Sequence, residues 1–318
     1  MKTVVLVAFE GVQMLDVVGP SDVFGKVEQL RPGSYQLAVA SPFGGEVRSN
    51  SGLVLSRTIP LAELSGSIDT VLIAGSDEAG LRSVINDTGL VDWIKWAKAS
   101  GVRRVGSVCT GAFVLAAAGL LEGKRATTHW SSCAELARLC PSALIEATSI
   151  YTVDPPIYSS AGVTAGIDLA LAMVEEDCGR AIAAEVAREL VLFLRRPSRQ
   201  PQLSAGLVAQ TSTSNRLQDL ITWIVDHPAA DLSVNTMADR AGMSERNLAR
   251  VFRHQTGATL ARFVEQTRLE HSRDLLENSD WSLDRIAERA GFGSIDAFRS
   301  AFRRRYQSTP GEYRNTLT

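Results

Sequence analysis

Met237-Ala238-Asp239-Arg240-Ala241-Gly242 and Ile286-Ala287-Glu288-Arg289-Ala290-Gly291 are two copies of one pattern near the C-terminal end of the chain. Met243-Ser244 and a run ending Val251-Phe252-Arg253 follow the first. Phe292-Gly293-Ser294 and a run ending Ala301-Phe302-Arg303 follow the second. Each copy reads as a short amphipathic helix, a glycine turn and a second helix rich in Arg, which is the layout of a helix-turn-helix. An ordinary helical bundle imitates one such unit easily. Two units with matched glycines and serine caps are much harder to imitate, and in tandem they imply contact with successive turns of a DNA major groove.

Working outward, Asn215 is placed to cap a helix with apolar positions Leu217, Leu220, Ile221, Ile224 and Val225, ended by Pro228. Ser233 opens the next helix and Ser244 caps the one after Gly242. There Leu248, Val251 and Phe252 share a face that must be core, leaving Arg246, Asn247, Ala249, Arg250 and Arg253 outward. A helix over about Leu260–Leu276 should join the two units stiffly. The second unit opens at Ser282, turns at Gly291 and is capped by Ser294, with Phe298, Phe302 and Tyr306 as its apolar stripe. Ser294, Ile295, Asp296, Arg299, Ser300 and Arg303 remain outward, and Arg303-Arg304-Arg305 reads as a phosphate clamp. Two such helices held ~34 Å apart would enter successive grooves on one face of a duplex.

The charge distribution agrees. The 318-residue chain carries a net charge of -2, which argues against indiscriminate nucleic-acid binding. Residues 1–209 hold 18 Lys and Arg against 21 Asp and Glu; residues 210–318 hold 15 against 14, and all 15 are Arg. Arg presents a planar fork suited to phosphate and guanine edges, although a genome favouring Arg codons gives the same bias. The cysteines at 109, 133, 140 and 178 lack CxxC spacing and a His cluster, so no metal site is expected. Met1–Val7 is too short an apolar span for a secretion signal, and no stretch approaches the ~18 apolar residues of a membrane span. A cytoplasmic location is the expectation.

In the first part of the chain strands and helices alternate. Val4–Phe9, Tyr35–Ala40, Thr70–Ala74 and Arg103–Val108 read as buried strands; Ser21–Gln29, Leu90–Ala99, Thr110–Ala118 and Ser132–Leu139 read as helices. This alternation predicts a parallel sheet covered on both faces, with ligand sites at the carboxyl ends of its strands. At one such end, Val105-Gly106-Ser107-Val108-Cys109-Thr110-Gly111-Ala112 sets a Cys on a tight strand-to-helix turn. The helix N-terminus there favours a thiolate, making Cys109 a candidate nucleophile or redox-sensitive thiol. His129 and Asp16 are candidates for the same crevice. A Cys, a His and an Asp in a domain of this size are also what plain packing supplies.

Residues 3–195 resemble the ThiJ/PfpI superfamily, a branch of the class I glutamine-amidotransferase-like fold. The resemblance rests on Ser107-Val108-Cys109-Thr110-Gly111, Leu115–Leu121, Lys124–Trp130, Leu15–Pro20 and Ala161–Asp168. It implies a flavodoxin-like doubly wound parallel sheet, with Cys109 as the elbow cysteine, Asp16 as the acid bonded to it and His129 nearby; isocyanide hydratases are similar in these segments. Family enzymes often carry Pro-Gly-Gly after the facing strand, where backbone N–H groups help form an oxyanion pocket. Here the segment is Ala74-Gly75-Ser76, which keeps only the central glycine. Residues 217–315 resemble the DNA-binding domain of AraC/XylS-type regulators through Ala238–Ser244, Phe252-Arg253, Thr256-Gly257, Arg268-Leu269, Ile286–Phe292, Phe302–Arg304 and Thr309–Arg314. In that family base-facing positions fall on Arg246, Ala249 and Arg250, then on Ile295, Asp296, Arg299 and Ser300. Asp296 would accept from a cytosine amino group or pair with Arg299.

The order of the two halves resembles the GlxA-type subgroup. It implies an α/β ThiJ/PfpI-like sensor or dimerisation domain at 1–196, a connector at 197–214 and an all-α domain with two helix-turn-helix units at 215–318. The basic cluster that starts at Arg195-Arg196, where the texture turns polar and proline-rich, reads as a solvated helix end or a DNA contact. The expected activity is sequence-specific transcriptional regulation. Expected partners are an operator duplex, a small-molecule effector, RNA polymerase and a second copy of the chain, with no cofactor and no membrane. The competing reading is a hydratase or hydrolase using Cys109. A third is a thiol-based redox switch at the same residue.

Overall fold

Val4 and Leu6 of the first strand, β1 (Lys2–Val7), pack on one face of a sheet, and Val5 and Val7 pack on the other. That alternation is the signature of a sheet buried on both sides. The computed structural model describes residues 1–64, 66–192, 196, 198, 202, 215–256, 258–306 and 308–315. The chain divides into two units, Met1–Gln202 and Leu203–Thr318. Of the expected connector at 197–214, all but Ser198 and Gln202 lies outside the described residues, as does the expected capping side chain of Asn215.

In the first unit β2 (Tyr35–Ser41), β1, β5 (Ile68–Ile73), β6 (Arg104–Val108) and β10 (Ile157–Ser160) run parallel in that order. β4 (Val54–Pro60) pairs parallel with β2 at one side, followed by antiparallel β3 (Gly45–Arg48). Antiparallel β9 (Tyr151–Asp154) closes the other side. A separate two-residue pair, β7 (Arg125–Ala126) and β8 (Leu144–Ile145), lies outside the sheet. Helices α1 (Met14–Leu30), α6 (Ala165–Cys178) and α7 (Arg180–Glu189) cover the Val4/Leu6 face. Helices α2 (Glu78–Asn86), α3 (Gly89–Ala99), α4 (Ala112–Ala117) and α5 (Cys133–Leu139) cover the other. This is the doubly wound parallel sheet expected.

Three differences from the sequence reading matter. Helix α1 starts at Met14, not Ser21, and carries Pro20 inside it. Proline lacks an N–H and reads as a breaker, yet here the helix runs through it, and the early start puts Asp16 in the first turn. The β9–β10 hairpin and α6 were not anticipated; β10 sits beside β6 and brings Gly162 to Cys109. Arg196, expected in a solvated helix end, instead makes a two-pronged pair with the buried Asp168 of α6, 2.7 Å at its shorter contact.

At the opposite, amino end of the strands Arg104 is buried (1% exposed). It pairs with Asp177 at 2.8 Å and Glu176 at 2.7 Å, while Tyr35 donates to Asp177 at 2.7 Å. Burial alone would raise the Asp177 carboxyl; the bonds from Arg104, Arg103 and Tyr35 outweigh it and hold the group well below the usual range. Helix α6 is thereby fastened to the sheet.

The second unit contains α8 (Asn215–Asp226), α9 (Val234–Ala241), α10 (Glu245–Thr256), α11 (Leu260–Asn278), α12 (Leu283–Arg289), α13 (Ile295–Tyr306) and α14 (Pro310–Asn315). The repeated pattern becomes two similar small cores, one around Leu217, Leu248 and Phe252, the other around Ile286, Phe298 and Phe302. Helix α11 contributes Leu260, Phe263 and Val264 to the first and Leu269 and Leu276 to the second. Its 19 residues, about 28 Å at helical rise, span both. Ser233 and Ser282 cap the first helices by accepting from Thr236 and Arg285 N–H. Gly242 (φ 62°) and Gly291 (φ 82°) make the turns in a conformation that favours glycine.

Candidate ligand crevice and DNA-reading surface

Four strand ends meet around Cys109. β1 leads to Asp16, β5 to Gly75, β6 to Cys109 and β10 to Gly162-Val163. Asp16, 1% exposed, accepts from Gly75 N–H at 3.0 Å with one carboxyl oxygen and from Val163 N–H at 2.7 Å with the other. Its carboxyl is also hydrogen-bonded to the Cys109 thiol. Burial pushes the Asp16 carboxyl up to about 6, against the opposing pull of these bonds. Two glycines make room for the thiol. A Cβ on Gly75 would lie 2.8 Å from Cys109 Cβ, and one on Gly162 (φ 94°) would lie 2.4 Å from Cys109 Sγ.

Cys109 adopts φ 100°, the strained left-handed region expected of an elbow residue. Its surroundings oppose ionisation. Burial first, and the Asp16 charge second, push the thiol far above its ordinary value, and a bond from Thr110 N–H offsets only part of this. Desolvation outweighs whatever the helix that begins at Ala112 contributes. Burial and the Asp16 charge therefore favour the thiol form of Cys109 over the thiolate.

His129, also placed in the crevice by sequence, bonds through Nδ1 to Ser131 Oγ at 2.7 Å, and burial lowers its basicity. Among the described residues it makes no hydrogen bond to Cys109. The residue sequence reasoning missed is Thr110. Its hydroxyl accepts from Ser76 N–H at 2.9 Å and donates to Ser76 O at 2.8 Å. Both backbone donors after β5 are thus engaged: Gly75 N–H by Asp16, Ser76 N–H by Thr110. Thr128 was also passed over; its hydroxyl donates to the Cys109 carbonyl. No sequence signal separates Thr110 or Thr128 from an ordinary buried threonine.

On the second unit Leu248 and Phe252 are buried and Val251 half-buried, so α10 presents Arg246, Ala249, Arg250 and Arg253 to solvent, with Asn247 half-exposed. On α13 Phe298 and Phe302 are buried. Ser294, Asp296, Arg299, Ser300, Arg303 and Arg304 are exposed and Ile295 is half-exposed. Ser244 and Ser294 accept from Asn247 and Ala297 N–H, so both reading helices begin with the same cap. Of the two readings of Asp296, the ion pair with Arg299 is not formed among the described residues. The side chains of the Arg303-Arg304-Arg305 run differ in their surroundings. Arg303 is exposed, Arg304 pairs with Glu265 of α11, and Arg305 is half-buried with its guanidinium 5.6 Å from the Tyr306 ring centre.

The DJ-1/PfpI family matches residues 1–176, and a helix-turn-helix domain matches residues 237–316. The chain is 31% identical over 284 residues to the HTH-type transcriptional regulator CdhR of Pseudomonas aeruginosa, covering 89% of this chain and 82% of that protein. It is 30% identical over 288 residues to the HTH-type transcriptional regulator GlxA of Rhizobium meliloti, covering 88% and 85%. An isonitrile hydratase of Pseudomonas putida is 35% identical over 171 residues, 54% of this chain and 70% of that enzyme. No described helix is long and apolar enough to cross a membrane. The sheet with its elbow cysteine, the paired reading helices and relatives matched along most of their length agree: the chain belongs to the DJ-1/PfpI family, among the helix-turn-helix transcriptional regulators of the GlxA and CdhR type.

Proposed function

We propose that this regulator reads two successive major grooves with α10 and α13, and that its Cys109 crevice receives a small-molecule effector instead of transforming one. The observation that carries the DNA reading is the pair of equally capped helices, each with its aromatic face buried and its Arg face outward. Arg246, Asn247, Ala249, Arg250 and Arg253, with Ser294, Ile295, Asp296, Arg299, Ser300 and Arg303, are the proposed contacts, and Arg304 a phosphate contact. The effector reading is supported by what the crevice lacks for turnover. Burial and the Asp16 charge favour its thiol over the thiolate, His129 is bonded to Ser131, and the two N–H donors that would hold an oxyanion are occupied. RNA polymerase and a second copy of the chain complete the proposed partners.

Genome-wide mapping of bound DNA, followed by titration of the recovered fragments against random duplex, tests the proposal. A preference for recovered fragments is expected; equal affinity for random duplex overturns it. The similarity to isonitrile hydratase favours one second reading, a Cys109-dependent hydratase. If Cys109→Ser abolishes turnover of an isonitrile while promoter regulation persists, that reading replaces the effector.

A further inference from the structure

Apart from the Cys109 crevice, a cavity of about 160 Å³ opens at the carboxyl ends of β1 and β2. Doubly wound sheets take their ligands at such ends. The floor of the cavity is Phe9, Val47 and Val84, all buried. One wall is the Pro42-Phe43-Gly44 turn that leads into β3, and the other is α2. Two glycines fix these walls. A Cβ on Gly80 of α2 would lie 1.9 Å from Glu10 O, and one on Gly44 (φ 74°) would lie 2.6 Å from the Pro60 ring. Helix and turn are thus each seated on a neighbour, with the cavity between them. Phe43 is left at the rim, 82% exposed.

Glu10, Glu46 and Asp87 are exposed around the opening, and the lining holds no Lys, Arg or His. None of these three carboxylates is in an ion pair among the described residues. One Glu10 oxygen accepts from Arg48 N–H at 3.1 Å. Elsewhere in the same unit carboxylates are taken up by cations, as Asp69 is by Arg103 and Asp154 by Lys124. We propose that this cavity binds a small organic cation, with its apolar part on Phe9 and the two valines and its charged head among Glu10, Glu46 and Asp87. The carboxylates alone would make only an acidic patch. The apolar floor beneath them selects for carbon, and the Phe43 ring at the rim offers its face to a cation. An anionic ligand would meet three like charges, and a hydrated metal ion would gain nothing from the floor. The volume suits a ligand near benzene in size, since a cavity of about 150 Å³ holds one benzene. The site shares no side chain with the Cys109 crevice and stands whether or not that crevice takes an effector.

The probe is n-butylammonium chloride, with sodium butyrate and butanol as its anionic and neutral counterparts. Each is titrated to about 20 mM into the full chain, and backbone amide chemical shifts report both place and affinity. Saturable shifts around Glu10, Val47 and Val84 are expected with the ammonium, at least about threefold weaker binding with butanol, and no shifts there with butyrate. Glu46→Gln combined with Asp87→Asn should weaken ammonium binding at least about threefold. Both side chains are exposed, so the fold is not at stake. Glu78→Gln, on the same helix but outside the cavity, should leave the affinity unchanged. Shifts that do not saturate or that centre elsewhere overturn the proposal. So does equal binding of butanol or butyrate, and so does an affinity that the double variant leaves unaltered or that Glu78→Gln lowers as much. No measurement here involves DNA or Cys109, so failure of the operator or effector reading is separable.

Discussion

Arg250 donates to the side-chain oxygen of Asn247, 3.0 Å away and three residues earlier on α10. The guanidinium is thus aimed before any duplex arrives. Arg250→Ala should weaken binding to the operator by about 1–3 kcal/mol, the range of one good base contact. Asn247→Ala should cost less, about 0.5–1.5 kcal/mol, because it frees the Arg rotamer without removing its charge. Fluorescence anisotropy with operator and scrambled duplex checks both; an unaltered operator affinity in Arg250→Ala refutes the assignment.

The Arg304–Glu265 pair leads to an opposite pair of outcomes. Arg304→Ala should weaken binding to all sequences alike and lower the salt slope by about one. Glu265→Gln releases the guanidinium and should strengthen binding to every duplex. A change in base preference in either variant would assign Arg304 to base reading.

Gly291 combines φ 82° with a Cβ position 2.3 Å from Pro228 O. Gly291→Ala should therefore destabilise the second unit by at least about 1–3 kcal/mol. Gly293, with nothing within 4 Å of its Cβ position, is the control, and Gly293→Ala should stay within about 0.5 kcal/mol. Amide exchange in α12 and α13 reads both.

Asp16 gives a pH signature. Its carboxyl sits near 6 in the folded chain against an ordinary value of 3.8, so the folded state holds the proton more tightly. The stabilisation is fully present below about 4 and is lost as pH rises through 6, amounting to at most about 3 kcal/mol. The stability difference between the natural chain and Asp16→Asn should accordingly favour the natural chain more at pH 4 than at pH 8. Denaturant unfolding at both pH values decides; a difference independent of pH removes the claim.

The thiol itself offers a chemical check. At pH 8 iodoacetamide should label Cys109 far more slowly than the half-buried Cys178. Asp16→Asn should speed the reaction at Cys109 by removing the neighbouring negative charge. Peptide mass spectrometry resolves the two sites. Comparable labelling in the natural chain would mean the sulfur is ionised after all.

The second unit was legible because its information is local: Gly242, Gly291 and the serines at 233, 244, 282 and 294 act on neighbours three or four residues away. The α/β alternation was legible for the same reason, through runs such as Val4–Phe9. What was not legible depends on distant partners. Arg196 reads as a solvated cation until Asp168 is brought beneath it. Gly162 has no role readable from its neighbours in sequence, since Cys109, which it packs against, is more than fifty residues earlier. At Cys109 helix position is visible in sequence and desolvation is not, so sequence favours a thiolate where burial favours the thiol. Pro20 carries the general signal of a helix breaker, yet α1 runs through it.

Arg268 of α11 donates to Pro228 O at 2.9 Å and reaches Ala230 O, and Gly291 abuts the same bend. The two reading heads are therefore welded at a second point besides the shared helix. On the proposed reading such a molecule would act as a calliper: it would gauge the interval between its two half-motifs, and an operator with one base pair inserted between them would have to bend to be read.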